Sequence, residues 1–359
     1  MKKFNYNYYE TLIEKLRDKY GHDLSEKELL EKDEVPLQIE LQMGLTCGGY
    51  KCKFCYGKFT QKEDTENPID IETYYKLVDD VKDKVKTIAF AGINTDPLGN
   101  GNFIKVVKKI KDDTKIKIGV HTKGLMLTER VTKELNRNTS YGDFITFSVD
   151  SVNMKNYNSL HGLPEHSTYM NRTIANIKKL YEHKQEVDSE LNVNISALLF
   201  QDNCGYEEMK ELIEVFKDHS DRIRFTFPQI PNLYKELPDY YIEDKSQVYL
   251  DVERLQKEYS NLEIALLKFD IDDHNFEFEK CHAQKYLFVI NPSGHVFPCP
   301  QVTTPEFYHI SYGNIKDNSF DEIWNSSKRK KVLGMDVKDM ACNICDRKDE
   351  CLNYEIGKK

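Results

Sequence analysis

Short apolar runs alternate with longer amphipathic segments from about Leu37 to Asp270. The apolar runs fall at 37–43, 87–91, 116–120, 144–149, 193–200, 223–227 and 262–267. Between them apolar residues recur at helical spacing, as at 71–84, 103–111, 169–183 and 206–219. A strand followed by a helix, repeated six or seven times, predicts βα units around a parallel sheet. That number of units suits a barrel or open barrel, in which chemistry sits at the carboxyl ends of the strands. After Asp270 the pattern changes. Residues 286–290, the turn Asn291-Pro292-Ser293-Gly294 and residues 295–297 read as a β-hairpin, followed by a short helix at 319–326 and a cysteine-rich tail. Three regions are expected: a charged, Tyr-rich extension of one or two helices (1–34), a barrel (35–270) and a smaller unit (271–359).

Charge and hydropathy narrow the function classes. With 60 acidic and 51 basic residues among 359, the net charge is −9. An acidic chain of this kind is a poor partner for a nucleic-acid backbone. No apolar run approaches the roughly 20 residues of a membrane span, and the N-terminus lacks the apolar core of a secretory signal. A cytoplasmic protein without nucleic-acid or membrane partners is expected. The basic stretch Ser326-Ser-Lys-Arg-Lys-Lys331 reads as a solvated helix face. His121, His161, His282 and His295 show no metal spacing, and Leu98-Gly-Asn-Gly101 reads as a turn.

Nine cysteines cannot all pair within the chain, and in a reducing compartment clustered cysteines indicate metal or catalysis. Cys47, Cys52 and Cys55 follow the first predicted strand, on a loop at the catalytic end. Three thiolates hold a 4Fe-4S cluster while leaving one iron open. A structural zinc site, which takes four closed ligands, is the alternative.

This loop resembles the cluster loop of the radical S-adenosylmethionine (SAM) superfamily, CxxxCxxC, with four residues instead of three between Cys47 and Cys52. Gly48 and Gly49 give the longer loop its backbone freedom. Further features resemble the family in order along residues 35–270, each at a successive strand end. Phe54 matches the aromatic that packs near adenine. The segment 90–98, with Gly92 and Asp96, resembles the Gly-Gly-Glu-Pro-Leu stretch that binds the methionine amino group, with a two-residue insertion and Asp for Glu. Thr122-Lys-Gly resembles Thr-Asn-Gly, Ser148-Val-Asp150 resembles Ser-Leu-Asp, and Asn203 lies where the family often contacts the cofactor. The resemblance implies a partial (β/α)6-type TIM-like barrel carrying a SAM-binding 4Fe-4S cluster.

The C-terminal spacing is Cys281-x12-Gly294-x4-Cys299, then Cys342-x2-Cys345-x5-Cys351. The hairpin brings the first pair together, and Cys342-x2-Cys345 is a metal knuckle. The arrangement, with 312–315 and 320–324, resembles the SPASM and twitch auxiliary-cluster domains of radical SAM enzymes. Full SPASM domains carry two further cysteines beyond the position of Cys351. One second 4Fe-4S cluster on Cys281, Cys299, Cys342 and Cys345 is expected, with Cys351 an alternative ligand or spare thiol; a four-cysteine zinc site is the other reading. Cys204, following Asn203, and Cys351 are candidate hydrogen-atom donors of the kind the family's epimerases use, against the plainer reading of ordinary thiols.

The resemblance implies reductive cleavage of SAM to a 5′-deoxyadenosyl radical, supplied with electrons by a flavodoxin- or ferredoxin-like donor. Three functions follow: a maturase that oxidises, crosslinks or epimerises a peptide, a small-molecule dehydrogenase or epimerase, or a non-catalytic metal-binding scaffold or regulator.

Overall fold

A computed structural model of the chain describes residues 8–32, 36–62, 64–229, 238–267, 278–342 and 344–357. The expected region boundaries at 34/35 and 270/271 lie outside the described residues.

Seven parallel strands account for the seven apolar runs: β1 (Gln38–Leu41), β2 (Thr87–Phe90), β3 (Lys117–Thr122), β4 (Phe144–Ser148), β5 (Asn192–Leu198), β6 (Arg222–Thr226) and β7 (Glu263–Leu267). Each pairs with the next in parallel register, Gln38 opposite Thr87 and Ile223 opposite Ile264, for example. The helices Ile71–Val81, Phe103–Asp113, Tyr169–Glu186 and Tyr206–Phe216 fall at the expected places. Asp70 and Thr128 cap their helices by accepting from the third backbone N–H, which satisfies one otherwise orphaned donor.

Alternation along the strands divides the sheet into two faces. Ile39, Ile88, Ile118, Ile145, Ile195, Ile223 and Ile264 are buried in the main apolar core. Glu40, Ala89, His121, Arg224 and Ala265, on the opposite face of the same strands, instead line the barrel interior. A charged interior and an apolar exterior under helices make the lumen a site rather than a filled core.

The predicted hairpin is present as β8 (Leu287–Ile290) and β9 (His295–Phe297), with β10 (Gly313–Asn314) beside it. It does not form a separate sheet: β8 runs parallel to β1, Gln38 opposite Leu287. Among the described residues the ten strands make one sheet, ordered β10-β9-β8-β1-β2-β3-β4-β5-β6-β7. All four residues of β8 are buried, as expected of a parallel strand covered on both faces. Two helices form in the N-terminal extension, Tyr8–Tyr20 and Glu26–Glu31. Leu12, Ile13, Leu16 and Leu29 pack with Tyr286 and Leu352, so the extension braces the C-terminal helix Arg347–Gly357.

One expectation is corrected. Arg329, expected on a solvated face, is 2% exposed and stacks its guanidinium 3.4 Å from the Trp324 ring centroid, donating to the Trp324 carbonyl at 3.1 Å. A guanidinium tolerates burial where an aromatic face and a carbonyl replace its water. No helix among the described residues is long and apolar enough to cross a membrane.

Candidate functional site

The cysteine loop leaves β1 and is fixed from three sides. Asp96 N–H donates to the Thr46 carbonyl at 2.9 Å, joining it to the loop after β2. Lys51 and Lys53 N–H donate to the carbonyls of His161 and Leu160 at 2.9 and 2.8 Å, joining it to the loop after β4. Asn94, itself in the left-handed region at φ 57°, donates to the Gly57 carbonyl at 3.1 Å and lies 3.5 Å from Cys55 Sγ. Gly48 and Gly49 adopt φ of 68° and 93°, the freedom the longer loop requires. Burial pushes the Cys47 thiol up to about 12, with Asp96 and Cys52 adding to it, and Cys52 up to about 11.

Several residues singled out in the sequence tie these loops together. Asp96 is 3% exposed; its carboxylate accepts from Thr122 Oγ1 at 2.8 and 2.9 Å, Lys123 N–H at 2.7 Å and Leu98 N–H at 3.0 Å. Burial raises its pKa against those bonds. Gly92 packs so closely that a Cβ would stand 2.3 Å from Thr95 Oγ1. Asp150, 2% exposed, accepts from Leu198 N–H at 2.9 Å and Lys123 Nζ at 3.1 Å, with His161 Nε2 3.3 Å away. Burial alone would lower Lys123, but the charges of Asp150 and Cys52 hold its ammonium above the ordinary value. Asn203 donates to the carbonyls of Asp150 and Leu198 and accepts from Phe200 N–H at 2.6 Å. Ser148 ends β4 opposite Ser196. The Phe54 ring rests 4.8 Å from Phe200, with Lys123 Nζ 5.5 Å above it.

The C-terminal thiols gather around the hairpin. An ion pair of Lys280 with Asp336 at 2.7 Å brings Cys281 beside the tail, and Ala341, left-handed at φ 55°, turns the chain into Cys342. Burial pushes Cys281 up to about 11 and Cys342 up to about 12, and holds Cys299 and Cys345 well above the ordinary thiol. Cys299 feels the charges of Cys281 and Cys342, and Cys345 those of Cys299 and Cys281, so the four share one neighbourhood. Asp349 and Asn353, four apart on one helix face, reach the same thiols: Asp349 Oδ2 is 3.9 Å from Cys299 Sγ, and Asn353 Nδ2 donates to Cys281 Sγ at 3.6 Å. Cys351, midway between them in sequence, lies about 200° around the helix from Asp349.

A cavity of about 560 Å³ lies between the two groups. It runs from Phe54 and Tyr56 on the cysteine loop, past Glu40, His121 and Arg224, to Pro300 and Asp349 beside Cys299. None of the cysteines, Cys204 and Cys351 included, is among its lining residues; its ends are formed by their sequence neighbours. Cys204 sits on the loop before the helix Tyr206–Phe216, near Glu208, Asp251 and Asp202.

Comparison with known proteins decides the family. The radical SAM superfamily model matches residues 45–216, and that of the SPASM iron-sulfur cluster-binding domain matches residues 281–351. The chain is a radical SAM protein with a SPASM domain. No curated protein matches it by sequence. Among solved structures it is similar to SuiB of Streptococcus suis bound to precursor peptide SuiA, at 17% identity and a TM-score of 0.64, covering 84% of this chain and 67% of that one. It is similar also to anSMEcpe with bound AdoMet and Kp18Cys peptide, at 17% identity and a TM-score of 0.56 over 88% of each chain.

A radical SAM domain takes a 4Fe-4S cluster and SAM, and a SPASM domain takes auxiliary iron–sulfur clusters. Both thiol groups suit such occupants. A buried thiol with a raised pKa would ionise only when a cationic metal centre binds its sulfur and releases the proton to solvent, as iron would do. Among the described residues no three His, Cys, Asp or Glu side chains converge as the ligands of a single ion would. The cysteines of a cubane stand at separate corners and need no common point. Lys123, Asn94, His161 and Asp349 are site residues that sequence reasoning missed. Lys123 replaces the family's Asn and Asn94 lies in the insertion, which were available signals; His161 meets Cys52 across 109 positions and leaves none.

Glu40 carries a testable consequence. Burial pushes its carboxyl up to about 7, against the opposing hydrogen bond from Gln42. The folded radical SAM protein therefore holds a proton here that the unfolded chain releases near pH 4.5. Stability falls as pH rises from about 4.5 to about 7, by up to roughly 3 kcal/mol. Glu40→Gln is expected to raise the melting temperature at pH 8 and leave it unchanged at pH 4. An equal change at both pH values overturns this.

Proposed function

We propose that this chain modifies a peptide by hydrogen abstraction, with Cys47, Cys52 and Cys55 holding the SAM cluster and Cys281, Cys299, Cys342 and Cys345 one auxiliary cluster. The observation that carries it is the cavity between Phe54 and Asp349, whose ends are formed by residues of the cysteine loop and of the helix beside Cys299, so that one substrate would lie between the two cysteine groups. When bound, SAM and its cluster supply a 5′-deoxyadenosyl radical, and the auxiliary cluster an acceptor for a substrate electron. Phe54, backed by Phe200, offers an apolar face for adenine. Ser148 and Asp150 stand at the strand end where the ribose and carboxylate would lie. Asp96, Thr122 and Asn203 act through the backbone, holding the loops that present these groups.

The lumen orients the substrate. Arg224, held by Ser196 Oγ at 2.9 and 3.2 Å, and Glu40 provide polar groups of opposite kind on facing strands. A volume of about 560 Å³ accommodates one side chain and its flanking backbone, within the range of small-molecule sites of roughly 300–1,000 Å³. SuiB and anSMEcpe, with peptides named in their structures, support the choice of a peptide. A flavodoxin- or ferredoxin-like donor would deliver the electron.

The test incubates reconstituted protein anaerobically with SAM, dithionite and either the peptide fraction or the peptide-free small-molecule fraction of an extract of the source cells. The expected result is 5′-deoxyadenosine formation stimulated by the peptide fraction, with a change in the mass or stereochemistry of one peptide. Stimulation confined to the small-molecule fraction overturns the peptide assignment.

A further inference from the structure

His161 belongs to none of the motifs above, yet it occupies the centre of the site. Its side chain is 0% exposed. Nδ1 lies 3.1 Å from Cys52 Sγ, and Nε2 lies 3.3 Å from Asp150 Oδ2, the oxygen that also accepts from Lys123 Nζ at 3.1 Å. The ring is held edge-on by Tyr157, Tyr50 and Phe54, with centroids 4.3, 5.4 and 5.8 Å away. Its backbone is fastened to the cysteine loop, since its carbonyl accepts from Lys51 N–H. The next residue, Gly162, has φ 60°, and a Cβ there would stand 2.3 Å from the Lys51 carbonyl oxygen. Ring and sulfur are thus positioned by the same backbone contact.

We propose that His161 is a positioning residue for the SAM cluster: its Nδ1–H donates to the Cys52 sulfur, sets the cluster's reduction potential, and links that sulfur to Asp150 at the SAM site. The proposal rests on Cys52 being a cluster ligand. A cluster-bound thiolate can only accept, so the shared hydrogen belongs to Nδ1. A hydrogen bond to a cluster sulfur stabilises the reduced, more negative cluster and raises its potential. With the hydrogen on Nδ1, Nε2 faces the Asp150–Lys123 pair as a bare acceptor with no hydrogen bond, so the coupling is electrostatic: a cofactor that engages Asp150 alters the field on the same imidazole. SAM binding and cluster potential are coupled through one side chain.

The test is a redox titration of the reconstituted full-length protein, followed by electron paramagnetic resonance with and without SAM. It compares wild type with His161→Phe, His161→Asn and His161→Gln. The signal assigned to the SAM cluster is the one lost when Cys47, Cys52 and Cys55 are all changed to Ala. His161→Phe, which fills the space without a donor, is expected to move the midpoint to more negative potential and to shrink the SAM-induced shift. Asn places an amide N–H near the Nδ1 position and is expected to restore the midpoint; Gln places it near Nε2 and is expected to follow Phe. Equal midpoints and equal SAM-induced shifts in all four proteins overturn the proposal. If Phe does not assemble the cluster, the difference between Asn and Gln decides it. A wild-type protein with no reducible signal dependent on the three cysteines overturns the cluster assignment itself, a distinct outcome.

Discussion

Changing Cys47, Cys52 and Cys55 together to Ala is expected to abolish 5′-deoxyadenosine formation from SAM and to lower bound iron from about eight to about four per chain. The loop carrying these thiols is held at Thr46, Lys51, Lys53 and Gly57 by bonds from other loops that do not involve sulfur. The variant is therefore expected to fold and to keep its C-terminal cluster. Iron, sulfide and zinc analysis on anaerobically reconstituted protein, with chromatographic quantitation of 5′-deoxyadenosine, checks both parts. Stoichiometric zinc with little iron in the wild type overturns the radical assignment of the cysteines. About four irons in the wild type and none in the variant would leave the SAM cluster alone and remove the auxiliary one.

Asp150→Ala is expected to destabilise the protein by about 3–5 kcal/mol, because it strands a buried cation. Lys123 has a side chain only 14% exposed, and Asp150 is its ion-pair partner at 3.1 Å. The same change leaves Leu198 N–H without its acceptor, a further cost of about 1–3 kcal/mol that overlaps the first. Asp150→Asn keeps an acceptor for Leu198 but not the charge, so a smaller loss is expected, with SAM cleavage reduced in both. Denaturant unfolding of the anaerobic protein measures the first effect, and the SAM concentration needed for half-maximal cleavage the second. A loss below about 1 kcal/mol, the scale of an exposed ion pair, shows that water reaches Lys123 and that the pair is not structural.

The destabilisation is not visible in any single motif. Asp150 was legible as one position of a short strand-end pattern, but its partner Lys123 looked like an ordinary substitution within another. The pairing arises because adjacent parallel strands β3 and β4 end at the same level and deliver both side chains to one point. His161 is the extreme case: a histidine without metal spacing, joined to Cys52 only after the helix Met154–Leu160 folds back over the cysteine loop. Asp349 likewise gave no signal, since its place beside Cys299 depends on the register of the last helix against the hairpin. In the opposite direction, Arg329 looked solvated because composition reports charge and not the indole stacked beneath it.

The seven apolar runs, their spacing and the two cysteine groups were properties of the chain itself. Hydrophobic periodicity acts locally, and thiols at short spacing on one loop are neighbours whatever surrounds them. Local pattern therefore determined the parallel βα repeat, the hairpin and the two cysteine groups. Only the tertiary structure decided that β8 extends the barrel sheet beside β1, that one polar cavity lies between the two cysteine groups, and that Asp150, Lys123 and His161 meet at Cys52. Those outcomes depend on long-range register and on the burial of charge. Both are set by the assembled packing of distant segments, which no window of sequence contains.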